Sequence, residues 1–484
     1  MSSAAVGQTS LPALTQPVPR DLYRIVLLQK AGSEILVSGE RPPFMLPCVE
    51  IPRWERVAEN LTVAVRNRYA ISAICLFTPD RSAATADSKE PLYQVMEARE
   101  GAIGATDEMR WLPVNSLSDR SFADEQDLLA MNTMLRQVAE FQSGAIAGPF
   151  GRPGWIEELF SWVQREVESY GLRLSGEFRQ LNASPTFALL RVETNGQALW
   201  FKAVGEPNLR EFGISVRLAS LFPGFVPTII ATHPAWHAWL TTEFAGSTLD
   251  EVPDSSAWEL AAHTLAELQI ASIGKADQLL EAGCRDLRVA RLLTLVDPFM
   301  EVMSQLMEQQ RKIPPPVLGR KELHKLGTRI KDALSAWTQL NIPDTLGHLD
   351  FNPGNILCSA DQCFFLDWAE AYVGPPFLTF QYLLEHLRQV SAHGVICPEP
   401  LTDRYASSWL PRVRPSDLIT AQRITPLLAA FSCCAASDWT EALHRRDESF
   451  AGYLRSLTRR LQRESGVLRR EAKSFRYPSN GVSS

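Results

Sequence analysis

An α+β fold divided into more than one domain is what this sequence predicts, and three observations predict it. The chain's 484 residues exceed the ~250–300 at which one hydrophobic core stops growing. From residue 22 to about 117, apolar residues recur mainly at strand spacing around a single helical stretch. Beyond residue 250 they recur mainly at helical spacing, interrupted by a β-hairpin between residues 346 and 368.

Composition narrows the class. Apolar content of 45% and charged content of 21% are those of a soluble globular protein. A net charge of −7 argues against a nucleic-acid partner, which would call for a basic surface. The eight cysteines are scattered, with no Cys-x-x-Cys pair, and adjacent Cys433 and Cys434 read as reduced core residues. A reducing, cytoplasmic location fits that usage. The longest apolar run, Leu427 to Ala436, falls short of the ~18 residues needed to span a bilayer, so no membrane is expected. Residues 1–20 are rich in Ser, Ala, Pro and Thr and read as a disordered leader rather than a signal peptide.

The front domain is placed at 21–143. Strands are predicted at Tyr23–Leu28, Glu34–Ser38, Ile71–Phe77, Leu92–Ala98 and Met109–Val114, with a helix from Arg56 to Tyr69 before the third. A second helix is predicted over 124–142 from the spacing of Leu128, Met131, Leu135 and Val138. The glycine- and proline-rich segment 144–154 predicts a linker. Residues 155–468 form the main domain, and 469–484 a polar, frayed tail.

Within the main domain, Phe187–Glu193 and Gln197–Ala203 read as paired strands joined through Thr194-Asn-Gly, a strong hairpin signal. Lys202 lies near the end of the second strand, and a helix follows from Glu211 to Leu221. Preceding them, Leu181–Phe187 is a turn without glycine. Trp239–Leu249 reads as a strand entering a small-residue turn near Glu243 and Ala245. Trp258–Ile273 is an amphipathic helix, and 275–340 is helical with Lys and Arg outnumbering Asp and Glu.

The chemistry concentrates in the hairpin. Residues 346–357 read Leu-Gly-His-Leu-Asp-Phe-Asn-Pro-Gly-Asn-Ile-Leu, and 364–368 read Phe-Phe-Leu-Asp-Trp. Phosphoryl transfer needs a base beside the attacking hydroxyl and hard oxygen ligands for magnesium. Asp350 suits the first task, and Asn355 and Asp367 suit the second. His348, two residues before Asp350, would brace the loop.

This stretch resembles the catalytic loop of the aminoglycoside phosphotransferase and choline kinase group, within the protein-kinase-like fold. That group carries His-x-Asp-x-x-x-x-Asn followed by a strand ending in Asp, matched here by His348, Asp350, Asn355 and Asp367. The resemblance implies a bilobal domain, with a small lobe at about 155–245 and a large lobe at about 246–468. It implies ATP and Mg2+ as cofactors and a small-molecule hydroxyl acceptor. Lys202 would clamp phosphate oxygens, Glu211 would orient it (Glu206 is the competing candidate), and the backbone from Glu243 to Ala245 would bond adenine. The glycine-free 181–187 turn departs from Gly-rich phosphate loops. Two rival readings stay open: an inactive nucleotide-binding scaffold and, third in rank, a protein kinase. Against the last, no Ala-Pro-Glu follows Asp367, and Asp-Trp replaces Asp-Phe-Gly. The basic excess over 275–340 argues against a polycationic aminoglycoside acceptor.

The front domain resembles a small α/β domain of the Nudix hydrolase fold, in its element order and its late Arg-Trp-Leu-Pro-Val. That family's activity depends on a Glu-rich helix holding magnesium. Here Ala64–Tyr69 carries no carboxylate, and Glu55 and Glu59 do not replace the cluster, so this domain is expected to be inactive.

Overall fold

The computed structural model of the protein describes residues 19–53, 56–79, 91–99, 108–118, 120–252, 254–390, 397–444 and 447–474. Residues 1–18 of the expected leader, the tail beyond 474 and Glu55 lie outside the described residues. The chain divides into two compact units, Met1–Glu206 with Ile230–Thr241, and Pro207–Ile229 with Thr242–Ser484. The expected α+β class is what the structure has.

The first unit opens on a six-stranded mixed sheet built from β1 (Arg20–Gln29), β2 (Glu34–Ser38), β3 (Cys48–Pro52), β4 (Ala73–Phe77), β5 (Leu92–Ala98) and β6 (Met109–Pro113). Its order is β4-β5-β1-β2-β6, with β3 pairing the first half of β1 and β2 its last residues. β5 runs parallel to β1, the rest of the pairing being antiparallel. Strand alternation sends Ile25 and Leu27 to one face and Val26 and Leu28 to the other, and all four are fully buried. A sheet apolar on both faces needs cover on both. Helix α1 (Val57–Tyr69) supplies one cover through Leu61 and Val65. Helices α2 (Glu125–Ser143) and α3 (Trp155–Val167) supply the other, through Met131, Met134, Leu159 and Val163. Asp124 caps α2 by accepting from the Gln126 N–H at 2.9 Å, and Gly144, at φ 74°, ends it.

That second core does not stop at α3. It continues into a five-stranded sheet ordered β10-β11-β9-β8-β7, from β7 (Leu174–Ala183), β8 (Ala188–Thr194), β9 (Leu199–Ala203), β10 (Ile229–His233) and β11 (Ala238–Thr242). The Asn-Gly turn forms the expected antiparallel hairpin between β8 and β9. Residues 144–154, read as a linker, are part of this core. Phe150 sits in a short 3-10 turn at 1% exposure, its ring 5.0 Å from Trp155, 5.7 Å from Trp236 and 6.1 Å from Phe201. Glycine and proline forecast the turns correctly, but burying one phenylalanine turns the segment into packed structure.

Polar contacts also tie the halves of this unit together, two of them made by buried side chains. Among the described residues edge strand β4 pairs only with β5, and the Gln180 side chain of β7 fills the open edge. Its Oε1 accepts from the Cys75 N–H at 2.8 Å, and its Nε2 donates to the Cys75 carbonyl at 3.0 Å. On β5, buried Glu97 accepts from the Gly154 N–H at 2.7 Å. Burial, outweighing that bond, raises the Glu97 carboxyl to about 7.

The second unit is mainly helical: α4 (Arg210–Leu221), α5 (Ser255–Ala271), α6 (Ala276–Glu281), α7 (Val289–Glu308), α8 (Arg320–Thr338), α9 (Phe377–Val390), α10 (Pro398–Trp409), α11 (Pro415–Ala436) and α12 (Glu448–Ser474). Helix α12 carries through the start of the expected tail. Helix α11 is long and apolar enough to cross a membrane, and its Leu428, Ala429, Ala430 and Phe431 are fully buried in this unit's core. Two small sheets thread the helices. One is ordered β12-β15-β16, from β12 (Ser247–Thr248), β15 (Ile356–Cys358) and β16 (Cys363–Phe365). The other is ordered β13-β17-β14, from β13 (Arg285–Asp286), β14 (Thr345–His348) and β17 (Ala371–Gly374).

Gln180→Ala strands the N–H and C=O of Cys75 in a buried site, and we expect a loss of about 2–4 kcal/mol in denaturant unfolding of the first unit. The raised Glu97 value means that folding favours the protonated acid. Its contribution is full below the unfolded value of 4.5 and is lost as pH rises through about 7. Glu97→Gln keeps an acceptor for Gly154, so it should exceed the wild type in stability by about 3 kcal/mol at pH 8. That advantage should shrink toward pH 4 in a pH series of unfolding curves.

Candidate active site

The site is assembled by the hairpin β15–β16 and the strand that precedes it. β14 pairs antiparallel with β17, placing Gly347 opposite Tyr372 and His348 opposite Ala371. A Cβ on Gly347 would fall 2.0 Å from Tyr372 Cζ, so only glycine lets the two strands approach. The Tyr372 hydroxyl and Thr379 Oγ1 are 3.0 Å apart, and Thr379 Oγ1 accepts from the His348 N–H at 2.8 Å.

His348 is 1% exposed, and burial holds its imidazole below the usual histidine range, hence neutral. Its partners assign the tautomer. The backbone N–H of Asp350 points at Nδ1 from 3.1 Å, so Nδ1 accepts. Nε2 therefore carries the proton and donates to the Leu366 carbonyl at 3.1 Å. One ring thus joins the loop holding Asp350 to the strand end preceding Asp367.

Asp350 follows in the turn. Its Oδ1 accepts from Asn352 Nδ2 at 3.0 Å. Asn355 Nδ2 donates to the Asp350 carbonyl at 3.0 Å and lies 3.4 Å from its Oδ2. With its NH2 so engaged, the Asn355 carboxamide has Oδ1 left for other work. The Leu366 N–H donates to the Asn355 carbonyl at 2.9 Å, so Asn355 and Asp367 are one ladder step apart. Asp367 adopts φ 60° and ψ 58°, a left-handed conformation uncommon outside glycine, Asn and Asp. The Trp368 indole that follows donates to the Phe365 carbonyl at 3.0 Å, and its ring lies 4.9 Å from that of His348.

His348, Asp350, Asn355 and Asp367, expected from the sequence, are therefore gathered around Leu366. The segment bearing Glu243 and Ala245 lies against the same hairpin, with the Phe244 ring 4.6 Å from Phe364 and Ser247–Thr248 paired to Cys358 and Leu357. Glu211 is buried on the first turn of α4, whereas Glu206 is exposed. Lys202 belongs to the first unit, on β9, with its ammonium 5.7 Å from the centre of the Trp239 ring. Glu370 forms a two-point ion pair with Arg285, both contacts at 3.0 Å. Sequence reasoning did not single out Asn352, Thr379 or Tyr372. Of these only Asn352 carried a signal, as an Asx residue two positions beyond Asp350 in a turn.

Among the described residues no three His, Cys, Asp or Glu side chains form a ready metal cluster. A carboxamide oxygen beside a carboxylate is a hard donor set, and it fits a magnesium ion that retains most of its ligands as water and phosphate oxygen.

The fold class that holds this arrangement is the protein-kinase-like one. Residues 206–388 match the model of the phosphotransferase enzyme family (APH). No curated protein matches the chain significantly. Among solved structures it is similar to the macrolide 2'-phosphotransferase of Brachybacterium faecium, at 16% identity over 62% of this chain and 97% of that one, with a TM-score of 0.41. It is also similar to a choline kinase of Streptococcus pneumoniae, at 11% identity over 65% and 99%, TM-score 0.40. An ethanolamine kinase of Plasmodium vivax matches at 16% identity over 61% and 83%, TM-score 0.42.

Gly347→Ala should cost about 3 kcal/mol or more, since neither Tyr372 nor β14 has room to yield. Denaturant unfolding of the second unit, or loss of soluble expression, reads the effect.

Proposed function

We propose that the protein transfers the γ-phosphoryl group of ATP, with Mg2+, to a hydroxyl of a small molecule. The observation that carries this reading is the Asp350–Asn355 contact beside the chain turn at Asp367. Asp350 accepts the proton of the incoming hydroxyl, and Asn352 on its Oδ1 steers the carboxylate. Asn355 Oδ1 and the Asp367 carboxylate are the oxygens assigned to magnesium, which when bound neutralises charge on the transferring phosphate. His348 sets the position of the loop and takes no proton in the reaction. On the resemblance alone, Lys202 keeps its assignment to phosphate oxygens and Glu211 that of orienting it, and the 243–245 backbone its assignment to adenine. The acceptor is small, and the work is intracellular, in a reducing cytoplasm.

A second reading, an inactive nucleotide-binding scaffold, is favoured by the turn between β7 and β8. Its Ser184 N–H donates to the Phe187 carbonyl at 2.9 Å, its Phe187 N–H to Ser184 Oγ at 3.0 Å, and Pro185 has no N–H. Backbone donors that would meet phosphate are thereby used inside the turn. The front sheet is read as a Nudix-like scaffold. The only carboxylate on α1, Glu59, pairs with Arg179 at 3.0 Å instead of serving a metal.

Asp350→Ala should reduce ATP turnover with an acceptor by ~10³-fold or more while leaving Mg-ATP affinity within a few-fold. Turnover is followed across a panel of hydroxylated metabolites and antibiotics. An unchanged rate in the variant refutes the role of Asp350, and Mg-ATP binding with no turnover on any acceptor selects the scaffold.

A further inference from the structure

Nothing in the proposed reaction uses the two thiols that lie between Asn355 and Asp367. Cys358 ends β15 and Cys363 opens β16, directly opposite one another. The ladder phase is fixed by bonds on either side of them. Ser359 N–H donates to the Gln362 carbonyl at 2.8 Å, and Leu366 N–H to the Asn355 carbonyl at 2.9 Å. Counting inward from both, Cys358 and Cys363 occupy a non-hydrogen-bonded site, where the Cα atoms are ~4.5 Å apart and side chains come closest. That separation lies within the ~4.4–6.8 Å that a disulfide spans. The two sulfurs are 2.7 Å apart.

We propose that Cys358 and Cys363 are an oxidative modification site, a dithiol that closes to a disulfide with a peroxide-class oxidant and stiffens the hairpin between Asn355 and Asp367. Cys358 is 4% exposed and Cys363 is not exposed at all, while residues 360–362 at the hairpin tip are exposed. Cys358 is therefore the sulfur an oxidant meets first on local opening of the tip. A hydrogen bond from Cys363 also favours its thiolate, holding Cys358 below the usual thiol range.

The chemistry balances. The Cys358 thiolate attacks the peroxide O–O bond, giving a sulfenic acid and an alkoxide or hydroxide, which takes from solvent the proton that Cys358 released. Cys363 sulfur then attacks Cys358 sulfur. The S–S bond forms, the S–O bond breaks, and hydroxide leaves as water with the Cys363 proton. Two thiols lose two electrons and the peroxide gains two. In a reducing compartment such a bond is transient and reversed by dithiols.

The consequence is local. The hairpin supports more than its own ends, because β15 pairs with Ser247–Thr248 and Phe364 holds Phe244. A cross-link across the middle of the hairpin restrains both attachments.

The test uses the full chain, reduced and then exposed to hydrogen peroxide, unfolded, and treated with an alkylating agent before mass analysis. We expect the peptide carrying both Cys358 and Cys363 to lose about 2 Da, with the two cysteines refusing alkylation until dithiothreitol is added. Exposed Cys397 serves as the internal control for oxidant contact. Amide exchange across residues 356–365 should slow by about tenfold, and Tm should rise by on the order of 5 °C, both reversed by dithiol. Cys358→Ser should abolish the dithiol-reversible shift. The proposal is overturned if both cysteines alkylate after Cys397 has been oxidised, or if either is found bonded to another cysteine. The wild-type alkylation pattern decides this without any variant and independently of turnover.

Discussion

A buried imidazole carrying a single proton is the constraint around which the second unit's site is organised. His348 accepts from the backbone of Asp350 and donates to the carbonyl of Leu366, so one neutral ring fixes two chain segments separated by the whole β15–β16 hairpin. Neither bond would survive the other tautomer, and a second proton would remove the acceptor that Asp350 needs. Desolvation, by keeping the ring neutral, therefore protects the geometry as well as accompanying it. The residue is in turn positioned by its backbone N–H, which donates to Thr379, and by the closeness of β14 to β17 that Gly347 permits. Asn355 adds a second, exposed link between Asp350 and the residue before Asp367.

The first unit is held on a different principle. Its two sheets do not meet through a linker; they share one apolar core, to which α2, α3 and the 144–154 segment all contribute. Polar groups then finish what burial begins. Gln180 behaves as a one-residue strand, closing the open edge of β4 with both an acceptor and a donor. Arg99 works in the same region, its guanidinium 4.6 Å from the Phe160 ring and 5.3 Å from that of Phe178. A front domain built into the core in this way has a structural role whether or not it binds anything.

Much of this was legible in the sequence, for identifiable reasons. Strands such as Glu34–Ser38 and Leu92–Ala98 were found at their observed bounds because alternation and burial agree there. The hairpin at Thr194-Asn-Gly followed from turn chemistry alone, and the His348, Asp350, Asn355 and Asp367 set from spacing within one contiguous stretch. What escaped depended on contacts between residues distant in sequence. Phe150 looked like part of a linker because its partners, Phe201 and Trp236, lie 51 and 86 residues away. β7 was missed because only alternate residues of its first half are more than slightly covered, leaving a weak apolar signal. Thr379 carried no local mark of its bond to His348, 31 residues earlier.

The backbone of Asp367 bears on why an aspartate stands there at all. A left-handed conformation costs a side-chain-bearing residue roughly 1–2 kcal/mol, least for Asn and Asp. Glycine would adopt it without that cost, and the chain must turn there, since β16 ends at Phe365 and a 3-10 turn begins at Trp368. If the turn were the only requirement, glycine would meet it better. Strain retained at a polar residue is a reason to look for what its side chain does, and the inference runs from the outlier to the role. Asp367 follows Leu366, whose N–H and carbonyl are held by Asn355 and His348 respectively, so the backbone leading into the turn is fixed on both sides of Leu366. An aspartate that keeps a backbone glycine would adopt at no cost is held there for its side chain, and that is the ground on which the proposed function gives Asp367 a role.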